Sequence, residues 1–220
     1  MPGRATRPVL LLLLVLLGLS ACQTPAAAPL VVEPVAESEP PGEGWRTIAL
    51  AEDRGRLERL ALAWETALGE ARARRLASQV RAEGALLRPD AGLPRAAPPP
   101  GPYRCRLIRF GGRRAFTAYR SYFCDVVVEA ELLSLTKQDG SERPGGYLWQ
   151  DGDARLIFLG AVALGAEPVP PAYGEDGGRD LIGLVERIGP FRYRLVMPWP
   201  PSGASLEILE LVPFVPDEGY

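Results

Sequence analysis

Three carboxylates and a guanidinium crowd one short stretch, Tyr173-Gly174-Glu175-Asp176-Gly177-Gly178-Arg179-Asp180. Paired carboxylates can act as general acid and general base, one protonated and one ionised. Glu175, Asp176 and Asp180 are therefore candidates for hydrolytic work. Acidic side chains at alternate positions can also hold calcium, but the spacing does not fit an EF-hand loop. Tyr173 and Arg179, in the same stretch, are candidates for binding a ligand. So is Arg143, in Gly140-Ser141-Glu142-Arg143-Pro144-Gly145-Gly146, whose planar cation can address an anion or pair with Asp180. This second segment reads first as a turn between strands. The structural alternative is plain: Gly-rich acidic turns are common solvated surface, and loop carboxylates usually titrate normally.

Other chemistries are set aside by residue type. The chain contains no His, which excludes a His-based triad, a His-ligated metal and a His-ligated haem. No metal and no cofactor are expected. Ser134-Leu135-Thr136-Lys137 has the Ser-x-x-Lys form of penicillin-recognising enzymes. That chemistry needs the Ser at a helix start and usually a second Lys in a Lys-Thr-Gly strand. Here the tetrapeptide lies in a strand pattern and Lys137 is the only lysine.

The N-terminus carries a different kind of signal. Arg4 and Arg7 precede an unbroken apolar run, Val9 to Leu17, and small residues approach Cys22. The run is too short for the roughly 20 residues of a bilayer span. Leu19-Ser20-Ala21-Cys22 resembles the lipobox of bacterial lipoproteins. The resemblance implies cleavage before Cys22, diacylation of its sulfur and acylation of the new amino group. Several acyl chains make a stable anchor. Gln23 stands where an Asp would favour the inner membrane, so the outer membrane is the expected location, with the body facing the periplasm. Loss of Arg4 and Arg7 with the signal leaves 23 basic against 27 acidic residues. A mildly acidic mature chain argues against a nucleic-acid partner.

With Cys22 assigned to lipid, Cys105 and Cys124 remain. In an oxidising compartment they are expected to form a disulfide, worth about 3 kcal/mol on the chain-entropy model. Two buried free thiols are the alternative. A redox pair lacks its Cys-x-x-Cys spacing.

These residues need a scaffold, and the chain divides clearly. Residues 1–21 read as signal peptide and 22–46 as lipidated Cys and disordered tether, rich in Pro25, Pro29, Pro34, Pro40 and Pro41. Residues 47–216 read as one globular domain and 217–220 as a tail. Within the domain, 47–88 is helical. From about Ala51 to Ala82, Leu57, Leu60, Ala61, Trp64, Leu68 and Ala71 recur at helical spacing, with Gly69 as a point of kinking or of splitting in two and Gly84 as the end. Such an amphipathic segment is expected to pack on the rest of the domain. Residues 89–102 form a Pro-rich connector.

Across 103–213 the period is two. Tyr103, Cys105 and Leu107 alternate with Arg104 and Arg106, and Cys124, Val126 and Val128 alternate with Asp125 and Glu129. Further strands are expected at 132–136, 146–149, 155–159, 181–187, 192–197 and 206–212, separated by Gly- and Pro-rich turns. Tyr147, Trp149, Phe158, Phe191, Tyr193 and Trp199 are mostly strand aromatics, hence core or barrel lining. The expected class is α+β: an N-terminal amphipathic helical segment packed on a mostly antiparallel β-barrel or sandwich of about seven to nine strands.

Tyr103-Arg104-Cys105-Arg106, Tyr122-Phe123-Cys124, Gly140-Ser141-Glu142-Arg143-Pro144, Phe158-Leu159-Gly160, Tyr173-Gly174, Arg179-Asp180, Glu186-Arg187-Ile188-Gly189 and Leu195-Val196-Met197-Pro198 together resemble an uncharacterised domain-of-unknown-function family. It occurs in secreted alphaproteobacterial proteins, notably sphingomonad-like ones, and the resemblance covers about Thr47 to Pro213. Glu142 stands where that pattern often has Gln, and Arg192-Tyr193-Arg194 where it has Arg-Trp-Arg. The family implies no established activity and no catalytic residues. A weaker likeness, of architecture alone, is to small disulfide-stapled periplasmic inhibitor barrels.

The expected function is that of a membrane-anchored, noncatalytic periplasmic module. Its partner is a periplasmic protein, such as a hydrolase it inhibits, or an apolar ligand in the barrel. The alternatives are a carboxylate-dependent hydrolase of envelope glycans and a structural protein of the envelope.

Overall fold

The computed structural model describes residues 44–215. The signal segment, Cys22, the tether up to residue 43 and the tail 217–220 lie outside the described residues. Eight strands follow one another: β1 Gly101–Phe110, β2 Phe116–Glu129, β3 Leu132–Lys137, β4 Glu142–Gln150, β5 Leu156–Leu164, β6 Asp180–Gly189, β7 Arg192–Pro198 and β8 Leu206–Pro213. Each pairs antiparallel with the next, and β8 pairs back on β1, which closes a barrel rather than a sandwich. Cys105 of β1 lies opposite Tyr122 on one side and Leu211 on the other, so both edges of the first strand are used.

Alternation sorts the side chains. Tyr103, Cys105, Cys124, Val126, Leu135, Leu148, Phe158, Leu195, Leu209 and Leu211 fill the interior. Cys105 and Cys124 are joined by a disulfide inside it. The intervening positions face outward. Ile108, Phe110, Val196, Leu206 and Ile208 share a second buried cluster with Ala63, Trp64, Ala67 and Ala71.

Those four residues belong to α3. The helical segment expected over 51–82 is split, but not at Gly69. The helical region comprises α1 Gly44–Ile48, α2 Ala51–Glu58, α3 Leu60–Ala73, α4 Ala77–Ala82 and a short 3-10 helix Gly84–Leu87. The breaks fall at Arg59 and around Arg75, whose φ is +63°, whereas Gly69 lies within α3. A glycine costs helix stability but does not by itself interrupt the hydrogen-bond ladder. The buried stripe of α3 also includes Ala63 and Ala67, while Ala61 is exposed. The folded body begins before residue 47: Trp45 is buried among Ile157, Leu159, Ile182 and Leu184, and its indole N–H donates to Asp151 at 3.0 Å.

Two further expectations change. Glu142 to Gly146 are strand, not turn, and only the residues before them turn. A side chain on Gly146 would collide with Leu159 O and the Gly160 backbone across β4 and β5, so glycine here permits close strand packing. Among the aromatics, Phe158 and Tyr193 are interior, but Tyr147 and Phe191 are exposed. Tyr147 points outward because its neighbour Leu148 points in, and Phe191 (φ +49°) sits in the β6–β7 turn.

The expected connector is pinned rather than free. Leu93 N–H donates to Arg187 O at 2.8 Å, and β1 already begins at Gly101. Arg194, wholly buried on the outer face of β7, holds its start. Its guanidinium donates to Ala85 O, Leu86 O, Arg88 O and Pro89 O at 2.7–3.3 Å and to Glu186 Oε2 at 2.6 Å. The same cation lies 5.1 Å from the Trp64 ring.

Candidate functional site

The inward phase of the strands runs from apolar to charged toward one end of the barrel. In β1 the phase that buries Tyr103, Cys105 and Leu107 continues to Arg109. In β3 the phase of Leu133 and Leu135 ends at Lys137, and in β8 that of Leu211 and Leu209 begins at Glu207. Glu142 opens β4 in the same layer. These side chains, with Arg179 and Ser202 from the adjoining turns, ring a recess of about 180 Å³ at the barrel mouth. Its floor is apolar, formed by Leu107, Val162, Leu181 and Met197.

The ring is internally paired. Arg109 lies between Glu207 and Glu142 and bonds both. Burial opposes its charge, but the two carboxylates hold its pKa above the ordinary arginine value. Ser202 Oγ donates to Glu207 Oε1 at 2.7 Å. Glu207 is almost fully buried, and that burial pushes its carboxyl up, against the pull of Arg109 and Ser202. Lys137 Nζ donates to Asp139 O, and to Glu142 O at 3.0 Å, and rests 4.3 Å from the centre of the Tyr122 ring. Burial lowers its pKa, partly offset by Asp139. Such a ring over an apolar floor can receive a small apolar group and hydrogen-bond the polar atoms at its end.

The fold disperses the residues that looked chemical in sequence. Arg179 reaches the mouth, where it bonds Asp176 at 2.7 Å and Glu167 at 2.8 Å. Glu175 is exposed and accepts the Ala172 N–H, at 3.1 Å. Arg143 does not meet Asp180. It donates to Gly140 O and Gly165 O, at 2.8 and 2.7 Å, and to Glu167 O. Tyr173 turns away from the mouth to α2, donating to Asp53 at 2.5 Å and accepting the Leu50 N–H at 2.9 Å. Burial and then Asp53 raise its phenol pKa. Asp180 is buried at the start of β6, accepting the Gly174 N–H at 2.9 Å, while its Oδ2 has no partner among the described residues. Burial moves its carboxyl up, opposed by the Gly174 bond and assisted by Asp53. Arg56, paired to Asp53, also donates to Asp180 O and Trp199 O, each at 3.2 Å. This group clasps α2 to the barrel, with Asp180 N–H donating to Asp176 O at 3.1 Å and Glu175 on the exposed part of the loop.

Ser134 and Lys137 lie on opposite faces of β3, as positions three apart in a strand must. Ser134 Oγ donates outside to Glu129 at 2.7 Å. The mouth residues Arg109, Ser202 and Glu207 were not singled out by sequence, and Glu142 was marked only as a departure from the family pattern. Their signal was faint: a charge appearing on the apolar phase of an alternating strand.

The geometry thus defines a closed eight-stranded antiparallel barrel with short helices and a charged mouth. A family model described as Domain of unknown function (DUF4893) matches residues 45–211, and the chain belongs to that family. No curated protein and no solved structure matches the chain.

Proposed function

We propose that this chain is a lipid-anchored, noncatalytic binding module of the bacterial envelope. Acylated Cys22 holds it on the membrane, the outer one by the absence of Asp after the cysteine, and the barrel mouth receives an apolar group from a small ligand or a periplasmic protein. The observation that carries the binding role is the apolar floor of Leu107, Val162, Leu181 and Met197 beneath a polar ring. At about 180 Å³ the recess is smaller than the roughly 300–1,000 Å³ of pockets for drug-sized ligands, which favours a short chain or one side chain. Titration with octanol, followed by methyl NMR, should shift Leu107, Val162, Leu181 and Met197 first. Val162→Trp, which fills the recess, should abolish those shifts. Shifts scattered over the outer surface instead would refute a mouth site. For the anchor, Cys22→Ala should leave the protein unlabelled by fatty acid and out of the membrane fraction; full labelling of that variant would refute it.

A carboxylate-dependent hydrolase of envelope glycans has less support. Glu175 is exposed and accepts a loop backbone N–H, Asp176 is paired to Arg179, and Asp180 is buried. Turnover of an envelope polymer that is lost in Asp180→Asn would reinstate it.

A further inference from the structure

The β1–β2 turn beside the mouth, Gly111-Gly112-Arg113-Arg114, lies outside the ring described above. Gly111 and Gly112 adopt φ of +100° and +72°, which glycine takes readily, and they hold a tight hairpin end. Arg113 and Arg114 are exposed at its tip. With Thr117, Tyr119 and Arg109 they line an open recess of about 390 Å³ whose walls include three arginines and no carboxylate. Arg109 is neutralised by Glu142 and Glu207. Among the described residues Arg113 and Arg114 have no such partner, so two positive charges stand uncompensated.

This basic recess adjoins the apolar one, and Arg109 and Ser202 line both. A group seated on Leu107, Val162, Leu181 and Met197 therefore has its free end at a rim where Glu142 and Glu207 are paired to Arg109. Beyond that rim lie the hydroxyls of Thr117 and Tyr119 and the guanidinium groups of Arg113 and Arg114. Guanidinium forks match carboxylate and phosphate oxygens, and a negative charge there meets no carboxylate in the recess wall.

Building on the mouth as the binding site, we propose that the ligand is an anionic amphiphile: a short alkyl chain enters the barrel mouth and its carboxylate or phosphate head sits on Arg113 and Arg114. The chain supplies burial and the head supplies selection.

The test compares octanoate, octanol and acetate on the chain from residue 22 onward, with Cys22→Ser to keep it free of lipid, by NMR titration. Octanoate should bind about fivefold tighter than octanol, the scale of one exposed charge pair. The difference should shrink at high salt. In Arg113→Gln/Arg114→Gln, octanoate and octanol should bind equally, with the amide spectrum reporting an intact fold. Equal binding of octanoate and octanol to the native chain overturns the proposal, as does a difference that survives in the double variant. Acetate shifting the hairpin amides as strongly as octanoate would show a free-anion site and likewise overturn it. If neither eight-carbon probe shifts the floor methyls, the mouth reading itself fails, and that outcome is separate from a failure of the head-group site alone.

Discussion

Arg194→Met removes every donor from a fully buried guanidinium that joins β7 to the polypeptide between Ala85 and Pro89. Glu186, whose side chain is 13% exposed, loses its ion-pair partner, and four backbone oxygens lose a donor. Taking one member from a buried pair costs about 3–5 kcal/mol, because the other charge stays desolvated. Three of the carbonyls are only partly buried and can recover water, whereas Leu86 O is buried and is left unpaired, so about 4 kcal/mol is expected in all. That is a large share of the roughly 5–15 kcal/mol holding a domain of this size. Urea unfolding should show it as a midpoint lowered by about 2 M, for a slope of about 2 kcal/mol/M. Glu186→Gln should cost less, because its amide oxygen still accepts. The double variant should fall short of the sum by at least about 1 kcal/mol. Amide exchange of Arg88 and Ala91 should accelerate locally in Arg194→Met. A loss below about 1 kcal/mol, or strict additivity with Glu186→Gln, would refute the view that this cation clasps the connector to the barrel. Arg194→Lys should rescue little, since an ammonium cannot span these acceptors.

Three other outcomes are expected. Cys105→Ala/Cys124→Ala should lose about 3 kcal/mol of unfolding free energy in urea and leave the barrel's circular dichroism unchanged; a loss near zero would show that the bridge does not constrain the unfolded chain. Gly146→Ala should destabilise by about 3 kcal/mol or more, because the new methyl meets strand backbone rather than a yielding side chain; melting at the native temperature would contradict the close approach of β4 and β5. Stability should fall as pH rises from the ordinary carboxylate range near about 4 toward neutrality. In that window the folded state, with Asp180 and Glu207 both raised by burial, binds more protons than the unfolded one. Glu167, lowered by the Leu164 N–H and Arg179, acts in the opposite sense below that range. Asp180→Asn should flatten the decline, and a curve parallel to the native one would show that Asp180 does not contribute.

Alternation made the strands legible. Cys105 and Cys124 fell on interior phases, and every strand of the barrel overlaps one that was anticipated, although the expectation at 155–159 reaches only the first half of β5. What misled was local composition acting for non-local reasons. Gly145 and Gly146 look like turn residues, yet Gly146 serves a close approach to a strand remote from it in sequence. The mouth was harder. Arg109, Lys137 and Glu207 are far apart in sequence, and only the register of the closed barrel brings them to one rim. Conversely, residues 173–180 look like a catalytic cluster, but a tight loop with alternating orientations sends Tyr173 and Asp180 to the α2 side of the barrel, beside Asp53 and Arg56, and Arg179 to the mouth.

Pairing the first strand with the last has a bearing on assembly. Until Leu206–Pro213 is in place, β1 carries a row of unsatisfied backbone groups along the side that β8 later occupies. Such an edge readily recruits other chains. The contact is also among the most distant in sequence that the barrel makes, so it is expected late on the folding path. The C-terminal strand therefore acts as the last stave of the barrel. Losing it would not trim an end but reopen the cylinder along its length, taking Glu207 from the mouth and Leu209 and Leu211 from the interior.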